Sequence, residues 1–430
     1  MTEDTHEIQV KHRSSRRAIL AAQCLAALSF VAVLWVLYAC LGGTALLAPA
    51  AAATGAAGLA AAWFVRKLLR WNVRLWIGPY LRQERFRVNP AEPLDLCIVF
   101  ADHFEPNHGR SDGQRQLQRV RSWEAAYQEA IRGHVDSDGR CPQHTWFFPG
   151  IDPADEAAAV LATWPGRGWG EIEYHLHHDE NPGITRAELR ERIEVDIRRL
   201  KQLGAVSIGR YGLVHGMYAL AAGDSRYCRA VEELDVLMET GCYADFTFPD
   251  IQTPAQPAQV NSIYYALTSG QPKPYDRGLE SAVGMRRQGL LMIPGPMYAG
   301  LFPRMLDDGN IDAACLPHAG RINRWLDAHV HVKGRPNWVF IVMHSHTALE
   351  HVQQVLFQGA VRRFWADLER RFKRPNARLH YLTAREAYNV IKAAEGACGG
   401  DPNDYRDYEI PRPANRAAPE VTGAKDSVGR

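Results

Sequence analysis

The chain contains 430 residues, of which 46% are apolar, 23% charged and 10% aromatic, a composition typical of a folded protein. Its 50 Lys and Arg residues nearly balance its 48 Asp and Glu residues, and the resulting formal charge of +2 excludes a nucleic-acid-binding protein that relies on bulk positive charge. None of its 8 Cys residues forms a CxxC pair, which excludes a zinc ribbon and a thioredoxin-like redox motif.

The N-terminal residues carry the pattern of a membrane anchor. A basic segment, residues 1–17, precedes residues 18–65, which contain no Asp, Glu, Lys or Arg. One helix spans a bilayer with about 20 residues, so this run predicts a transmembrane hairpin of helices over residues 18–41 and 44–65. Basic side chains flank both ends, and the positive-inside rule therefore predicts an integral protein of a bacterial-type inner membrane with the rest of the chain on the cytoplasmic side. The alternative is a single spanning helix followed by an Ala-rich interfacial stretch, which would place the rest of the chain outside.

Two further segments flank the central part of the chain. Residues 66–92 interleave Trp71, Trp76 and Tyr80 with Arg, a pattern typical of a juxtamembrane amphipathic helix at the lipid headgroups. A plain linker helix packed on the following domain is the alternative. The C-terminal residues 398–430 are rich in Pro, Asp, Asn and Arg and lack apolar periodicity, which predicts a disordered tail.

Residues 93–397 alternate short apolar runs with amphipathic helical patterns, as in one α/β domain. The clearest helix begins at Thr185, which forms a T-x-x-E capping box with Glu188, and stops near Gly204. The alternation predicts a parallel sheet, most simply a (β/α) barrel with its chemistry at the carboxyl ends of the strands. The predicted strands are residues 94–101, 144–148, 170–176, 211–214, 244–248, 289–293, 339–343 and 378–382.

Three of these strands end in side chains that commonly bind metal ions. They are Asp102 and Glu105 after the first strand, His175, His177 and Asp179 after the third, and His344 and His346 after a late strand. Alternate residues of an extended chain share a face, so members of each group can point the same way. The pattern predicts a catalytic site for a divalent metal ion, zinc in the first place, with cobalt, nickel or manganese as alternatives.

The order of these groups resembles the polysaccharide deacetylase family, the carbohydrate esterases related to chitooligosaccharide deacetylases. The strings that carry the resemblance are IVFADHFEP, HTWFF, GEIEYHLHHD and VFIVMHSH, and it extends over residues 94–390. The resemblance implies a deformed (β/α) barrel of the deacetylase type behind the transmembrane hairpin. It also implies a hydrolase of carbon–nitrogen bonds that removes acetyl groups from an amino-sugar polysaccharide or glycan precursor in exopolysaccharide or cell-envelope metabolism.

The resemblance also implies roles for individual residues. A divalent ion would be held by Asp102, His175 and either Asp179 or His177, and His344, as an imidazolium, would be the general acid. The chain departs from the family at Ala101, which replaces the first Asp of the family, its proposed base. The residue that accepts the proton of the attacking water therefore stays open among Glu105, His103, His177 and His215.

Four further residues are candidates for binding a glycan. Trp146 and Tyr264 are candidate stacking walls for sugar rings, although aromatic side chains in such positions usually belong to the core. Asp250 is a candidate for orienting a His or binding hydroxyl groups, with a turn-capping role as the alternative, and His346 lies two residues after the predicted acid His344.

Two other functions compete with deacetylation. A glycoside hydrolase or lyase on the same barrel would use a pair of carboxylates, for which Glu105 and Asp250 are the candidates. A non-catalytic module that binds glycan or organises polysaccharide-assembly proteins is favoured by Ala101. The expected partners are thus a glycan, the lipid bilayer and polysaccharide-assembly proteins, with no nucleic acid.

Overall fold

A computed structural model describes residues 47–83, 89, 91–204, 209–285, 288–300 and 306–413. The chain divides into two units, Met1–Val73 with Ala299–Leu306, and Arg74–Tyr298 with Asp307–Arg430. In the described part of the smaller unit the main element is a helix, α1 (Leu47–Arg70). The larger unit is a mixed α/β structure and contains every predicted site residue.

The remaining elements follow in chain order. The helices are α2 (Val73–Arg82), α3 (Gly113–Ala130), α4 (Asp155–Leu161), α5 (Arg186–Gln202), α6 (Glu233–Glu239), α7 (Ala319–Ala328), α8 (Glu350–Val355), α9 (Val361–Phe372) and α10 (Ala384–Glu395). The strands are β1 (Leu94–His103), β2 (His144–Pro149), β3 (Gly170–Leu176), β4 (Tyr211–His215), β5 (Cys242–Asp245), β6 (Tyr264–Ala266), β7 (Leu279–Glu280), β8 (Leu290–Met292), β9 (Tyr298–Ala299), β10 (Leu306–Asp307), β11 (Trp338–Ser345) and β12 (Ala377–Leu382).

The main sheet is parallel over most of its width. Its order is β11-β1-β2-β3-β4-β5-β8, and β12 also pairs with β1 in parallel. Two short strands, β6 and β7, extend it in antiparallel fashion beyond β8. The prediction of an α/β fold with a parallel sheet is confirmed, and each of the eight predicted strand segments overlaps an observed strand.

The sheet curves around a shared apolar core. Val99 of β1, Val214 of β4, Leu291 of β8 and Val342 of β11 belong to the same buried cluster, although β8 and β11 lie far apart in the strand order. A methyl group added to Gly295, shortly after β8, would lie 2.6 Å from the carbonyl oxygen of Val342, so glycine allows the two ends of the parallel array to approach. The carboxyl ends of the parallel strands therefore converge on one region.

The capping box and the apolar periodicity in the sequence predicted the position of α5 correctly. Thr185 caps the helix, since its Oγ1 accepts a hydrogen bond from the Glu188 amide at 3.3 Å and Glu188 Oε2 accepts one from the Thr185 amide at 2.9 Å. The predicted apolar face, which includes Leu189 and Ile193, is buried. The capping box contributes roughly 1 kcal/mol to the helix, while burial of this face fixes its position on the sheet.

At the N-terminal end, the structure describes only part of the predicted transmembrane hairpin. Residues 18–41, the first helix of the predicted hairpin, lie outside the described residues, and α1 covers most of the second. Over the described residues, no helix combines the length and the apolar character needed to span a bilayer. In α2, Trp76 and Tyr80 are buried and form an edge-to-face pair at 5.8 Å, as expected for a packed linker helix.

The described part of the predicted tail is packed on the larger unit. Arg406 is buried and donates a hydrogen bond to the Tyr381 carbonyl oxygen at 2.8 Å, and Ile410 is fully buried. Residues 398–413 therefore belong to the folded unit, and residues 414–430 lie outside the described residues.

Candidate functional site

Two groups of metal-ligand side chains lie side by side beyond the carboxyl ends of β1, β3 and β4. We call the first the open cluster: Glu105, His175 and His177. We call the second the closed cluster: His178, His215, Cys228 and Glu233. The potential ligand atoms within each cluster all lie within 4.8 Å of one another.

The open cluster brings together residues that follow β1 and end β3. The Nε2 atoms of His175 and His177 are 3.1 Å apart. Glu105 places Oε1 at 3.0 Å from His177 Nε2 and Oε2 at 3.5 Å from His175 Nε2. Ligand atoms at about 2.0–2.1 Å from a tetrahedral zinc ion are about 3.3 Å from each other, so these separations fit one ion. Two His and one Glu are also the protein ligands of known catalytic zinc sites.

Hydrogen bonds to groups outside the open cluster orient both of its imidazoles. His175 Nδ1 donates to the Val214 carbonyl oxygen at 2.9 Å, and His177 Nδ1 is 2.8 Å from Asp179 Oδ1. With their protons on Nδ1, neutral rings direct two Nε2 lone pairs at each other and at the Glu105 carboxylate. That arrangement needs either a cation at its centre or a second proton on His177. Such outer partners are a regular feature of metal-binding His residues.

The electrostatics of the open cluster follow from burial and mutual contact. Burial acts to raise the pKa of Glu105, but His175 and His177 outweigh it and hold the pKa well below its usual range. Burial acts to lower the pKa of His177, but its hydrogen bonds to Asp179 and Glu105 raise it to about 9. Burial lowers the pKa of His175 despite the nearby Glu105. The cluster therefore holds Glu105 as a carboxylate.

Asp102, predicted as a metal ligand, does not join the open cluster. His144 Nε2 lies 2.9 Å from its Oδ2, the Thr347 amide donates to its Oδ1 at 2.8 Å, and the Thr347 hydroxyl also contacts Oδ2. Successive residues of a strand point to opposite faces. Ala101 therefore faces the shared core and Asp102 faces the helices, where its carboxylate ties β1 to β2 and to the turn after β11. Glu105, beyond the strand end, supplies the carboxylate instead.

Asp179 has a different position from the predicted one. Its carboxylate reaches the outer nitrogen of His177 rather than the centre of the cluster, and it remains partly exposed. In this position Asp179 orients the His177 ring. Of the two residues that the sequence left open, His177 is the one that lies in the open cluster.

A ring of further polar side chains surrounds the open cluster. The His103 ring lies 5.1 Å from that of His175, 4.6 Å from that of His346, 5.2 Å from that of Tyr218 and 6.3 Å from that of His344. His103 is buried, and its Nε2 has no hydrogen-bond partner. The structure thus brings His344 and His346 together with His103, one of the candidate proton acceptors that the sequence left open.

The protonation of His344 differs from the predicted imidazolium. Burial, followed by the neighbouring His346 and Arg321, lowers the pKa of His344 to about 3. His344 is therefore a neutral imidazole at neutral pH, and any proton that it donates must first be received during the reaction.

Two carboxyl groups lie near the same pocket. Burial raises the pKa of Asp250. Burial also raises the pKa of Tyr218, and the negative charges of Asp250 and Asp308 raise it further. Burial and the neighbouring Asp307 raise the pKa of Asp308 to about 6. Asp250 Oδ1 also accepts a hydrogen bond from the Gln252 amide at 3.0 Å, so the predicted turn-capping role is present as well.

Three other predicted site residues lie elsewhere. Trp146 is fully buried against Trp123 and Trp164 in the layer between sheet and helices. Tyr264 is buried in the core, where its hydroxyl donates to the Tyr275 carbonyl oxygen at 2.6 Å. Neither can form a wall for a sugar ring, because neither reaches the surface. His215, a predicted proton acceptor, belongs to the closed cluster.

The closed cluster was not predicted from the sequence. His178 Nε2 is 2.8 Å and His215 Nε2 is 3.1 Å from Glu233 Oε1, and the two nitrogens are 3.2 Å apart. Cys228 Sγ is 3.6 Å from Glu233 Oε2. The available signals were the HH pair after β3 and the C-x4-E spacing, but a single Cys far from any other gave no recognisable ligand pattern.

A third group has the composition of a metal site but the contacts of an ion-pair network. His380 Nδ1 lies 2.8 Å from Asp138 Oδ2, and its Nε2 lies 3.0 Å from Asp95 Oδ1. Arg378 pairs with Asp95 at 2.6 Å and Arg406 with Asp138 at 2.8 Å. Two guanidinium groups already neutralise these carboxylates, so the network does not need an ion.

Among the comparisons with known proteins, the search of solved structures is the one that found matches. No protein-family model matches this sequence, and no curated protein matches it. The fold is similar to the crystal structure of 4-alpha-glucanotransferase from Thermococcus litoralis, with a TM-score of 0.38 and 12% sequence identity. The similarity covers 69% of this chain and 40% of that one, so this chain spans less than half of the glucanotransferase.

Proposed function

We propose that the larger unit is a metal-dependent hydrolase whose metal ion, zinc in the first place, is bound by Glu105, His175 and His177. The observation that carries the proposal is the convergence of one carboxylate oxygen and two Nε2 atoms at 3.0–3.5 Å, with both imidazoles oriented from behind. Three protein ligands leave a fourth position open for a reactant, which is the arrangement of a catalytic rather than a structural site.

Solvent access supports a catalytic role for the open cluster. The Glu105 and His177 side chains are 14% and 22% exposed, so a substrate can reach the ion from their side. A divalent ion held by Glu105, His175 and His177 would activate a water molecule and polarise a substrate carbonyl group. The net charge of the occupied cluster is positive, which stabilises negative charge that develops on a substrate.

The residues around the open cluster have distinct roles in the proposed reaction. His103, whose Nε2 has no partner and which faces the same side of β1 as Ala101, accepts the proton of the attacking water. The proton that His103 takes from the water would pass to the leaving group by way of the neutral His346 and His344, whose rings lie 4.6 Å and 6.3 Å from that of His103. Tyr218, with its ring 5.2 Å from that of His103, supplies a hydroxyl group at the pocket.

The proposed substrate is an acetylated amino-sugar polysaccharide or glycan precursor, which would be deacetylated within a deformed barrel of the polysaccharide deacetylase type. This finer assignment rests on the four sequence strings that resemble that family. The cluster of His side chains is suited to acyl transfer, since a neutral imidazole can receive and return a proton. An inner-membrane location with the catalytic unit in the cytoplasm is proposed on the basis of the uncharged N-terminal run.

The alternative of glycoside hydrolysis has less support from the geometry. That reaction needs two carboxyl groups free to act on opposite sides of a glycosidic bond. Both oxygens of Glu105 contact imidazole nitrogens, so this residue is not free to act as one of the two carboxyl groups. A non-catalytic glycan-binding module would not need the oriented imidazoles of the open cluster.

The test combines metal analysis with product analysis on the purified full chain. We expect wild-type protein loaded with zinc to release acetate from an N-acetylated amino-sugar oligomer. Glu105→Gln should lose the metal of the open cluster, and activity should fall by at least about a hundredfold. Glu156→Gln, which changes an exposed glutamate on α4, is the matched control and should retain both.

The variant His103→Ala separates metal binding from proton transfer. It should retain the metal and lose activity, since His103 is not a ligand. New reducing ends without acetate would identify a glycoside hydrolase. Undiminished metal content at the open cluster in Glu105→Gln would overturn the ligand assignment.

A further inference from the structure

We propose that the closed cluster, His178, His215, Cys228 and Glu233, is a second metal site that binds zinc permanently and has a structural role. The four residues come from the end of β3, the end of β4, the following loop and the first turn of α6. All four are nearly inaccessible to solvent, with side-chain exposures of 1%, 2%, 0% and 0% respectively. The site has four protein ligands and no open position, as structural zinc sites do.

The separations within the closed cluster fit tetrahedral coordination. Zinc–nitrogen distances of about 2.0–2.1 Å and zinc–sulfur distances of about 2.3 Å place neighbouring ligand atoms about 3.3–3.6 Å apart. The two Nε2 atoms are 3.2 Å apart and lie 2.8 Å and 3.1 Å from Glu233 Oε1. Entry of an ion requires only small outward shifts of these side chains.

Charge balance favours an ion over an empty hydrogen-bonded cluster. A Cys228 thiolate and a Glu233 carboxylate carry two negative charges, which a divalent cation neutralises, so the buried site has no net charge. Without the ion, His215 would need protons on both ring nitrogens. Its Nδ1 lies 2.6 Å from the Gly216 carbonyl oxygen, which can only accept, and its Nε2 faces a carboxylate. With the ion bound, the Nδ1 proton alone satisfies these contacts, because Nε2 binds the metal.

Backbone groups hold the ligands from outside the cluster. The Ala221 amide donates to Glu233 Oε2 at 2.5 Å, and the Ala222 amide donates to Cys228 Sγ at 3.3 Å. An amide that donates to sulfur stabilises the thiolate form, which is the form that binds metal. These contacts are the outer partners expected around zinc ligands.

The closed cluster also fixes the loop that forms one wall of the open cluster. Between His215 and Cys228, four non-glycine residues have positive φ: Met217 (52°), Tyr218 (56°), Ala221 (43°) and Ala222 (56°). Such a backbone conformation is strained for a residue with a side chain and persists only where surrounding contacts impose it. A metal ion that joins both ends of this loop supplies that constraint, and it positions Tyr218 beside His103.

A second contact couples the two clusters. A methyl group added to Gly216 would lie 2.5 Å from the His177 ring, so that ring packs directly on the backbone of Gly216. The carbonyl oxygen of the same residue accepts from His215. The closed site therefore supports a ligand of the open site from behind.

The first test uses zinc K-edge X-ray absorption on the wild-type full chain after zinc loading and removal of unbound ion. We expect two zinc ions per chain and a sulfur scatterer at about 2.3 Å. The open cluster contains no sulfur, so the sulfur signal reports the closed site alone. Absence of a sulfur scatterer in zinc-loaded wild-type protein would overturn the proposal whether or not the open cluster binds metal.

The second test assigns the sulfur to Cys228. In the cobalt-substituted chain, we expect a thiolate-to-cobalt charge-transfer absorption that Cys228→Ser removes. Cys242→Ser is the matched control, because Cys242 is also a buried free thiol and its Sγ contacts the Ala244 carbonyl oxygen at 3.5 Å. Survival of the absorption in Cys228→Ser, or its loss in Cys242→Ser, would contradict the assignment. If Cys228→Ser does not fold, the wild-type sulfur signal still decides the proposal.

Discussion

The open and closed clusters lie beside each other and each contains two imidazoles and one glutamate, yet we propose different roles for them. His177 and His178 are adjacent in sequence, but the first points to the open cluster and the second to the closed one. The open cluster has three ligands and reaches solvent, whereas the closed cluster adds Cys228 and excludes it. In our proposal, the number of ligands and their burial, more than their chemical identity, separate the reactive metal site from the structural one.

The largest expected difference between the clusters concerns stability. Glu233→Gln should destabilise the folded chain by roughly 3–5 kcal/mol, because it removes the charge partner of two buried imidazoles and a ligand of the closed site. Glu105→Gln, the matched change in the open cluster, should cost less, because the Glu105 and His177 side chains are 14% and 22% exposed and water screens their interaction. Chemical denaturation of both variants measures the difference, and equal losses would remove the distinction between a structural and a reactive site.

The ion-pair network around His380 provides a metal-independent comparison for both clusters. Burial acts to lower the pKa of His380, but Asp138 and Asp95 raise it to about 9. Because this pKa lies above the value of about 6.5 in an unfolded chain, the protonated network stabilises the fold fully below pH 6.5. That contribution is lost as the pH rises through 9.

The test of this network is the stability of His380→Gln relative to wild type as a function of pH. The variant should be less stable by roughly 2–3 kcal/mol at pH 6, and the gap should narrow towards pH 10. A chelator should not change the gap. A gap that widens with pH, or that depends on zinc, would show that His380 acts as a neutral ligand instead.

The smallest expected effect concerns the carboxylate behind the open cluster. Asp179→Asn should weaken metal binding there by about 10–100-fold, because His177 loses the acceptor that fixes its ring. Competition with a chelator of known affinity measures the change. Asp102→Asn is the informative comparison, since Asp102 was expected to be a ligand but bonds to His144 and Thr347. Asp102→Asn should leave the affinity for zinc unchanged and reduce the stability of the fold. A loss of zinc affinity as large as that of Asp179→Asn would show that Asp102 is a metal ligand after all.

The sequence by itself determined the α/β class, the strand positions and the edge of the sheet where chemistry is expected. These features depend on local signals, such as the apolar runs of β1 and β11 and the capping box at Thr185. It also identified His175, His177 and Glu105 as candidates, because metal-ligand residue types are concentrated after strand ends.

Only the tertiary structure decided which of those candidates meet. Because side chains alternate along a strand, Asp102 faces the helices. Glu105 lies beyond the end of β1 and contacts the two imidazoles. No local sequence pattern distinguishes these two carboxylates. The closed cluster was hidden for the same reason: His178, His215, Cys228 and Glu233 are spread over 56 residues and converge only when β3, β4 and α6 pack. A ligand set is defined by distances between side chains, and those distances are fixed by packing between elements.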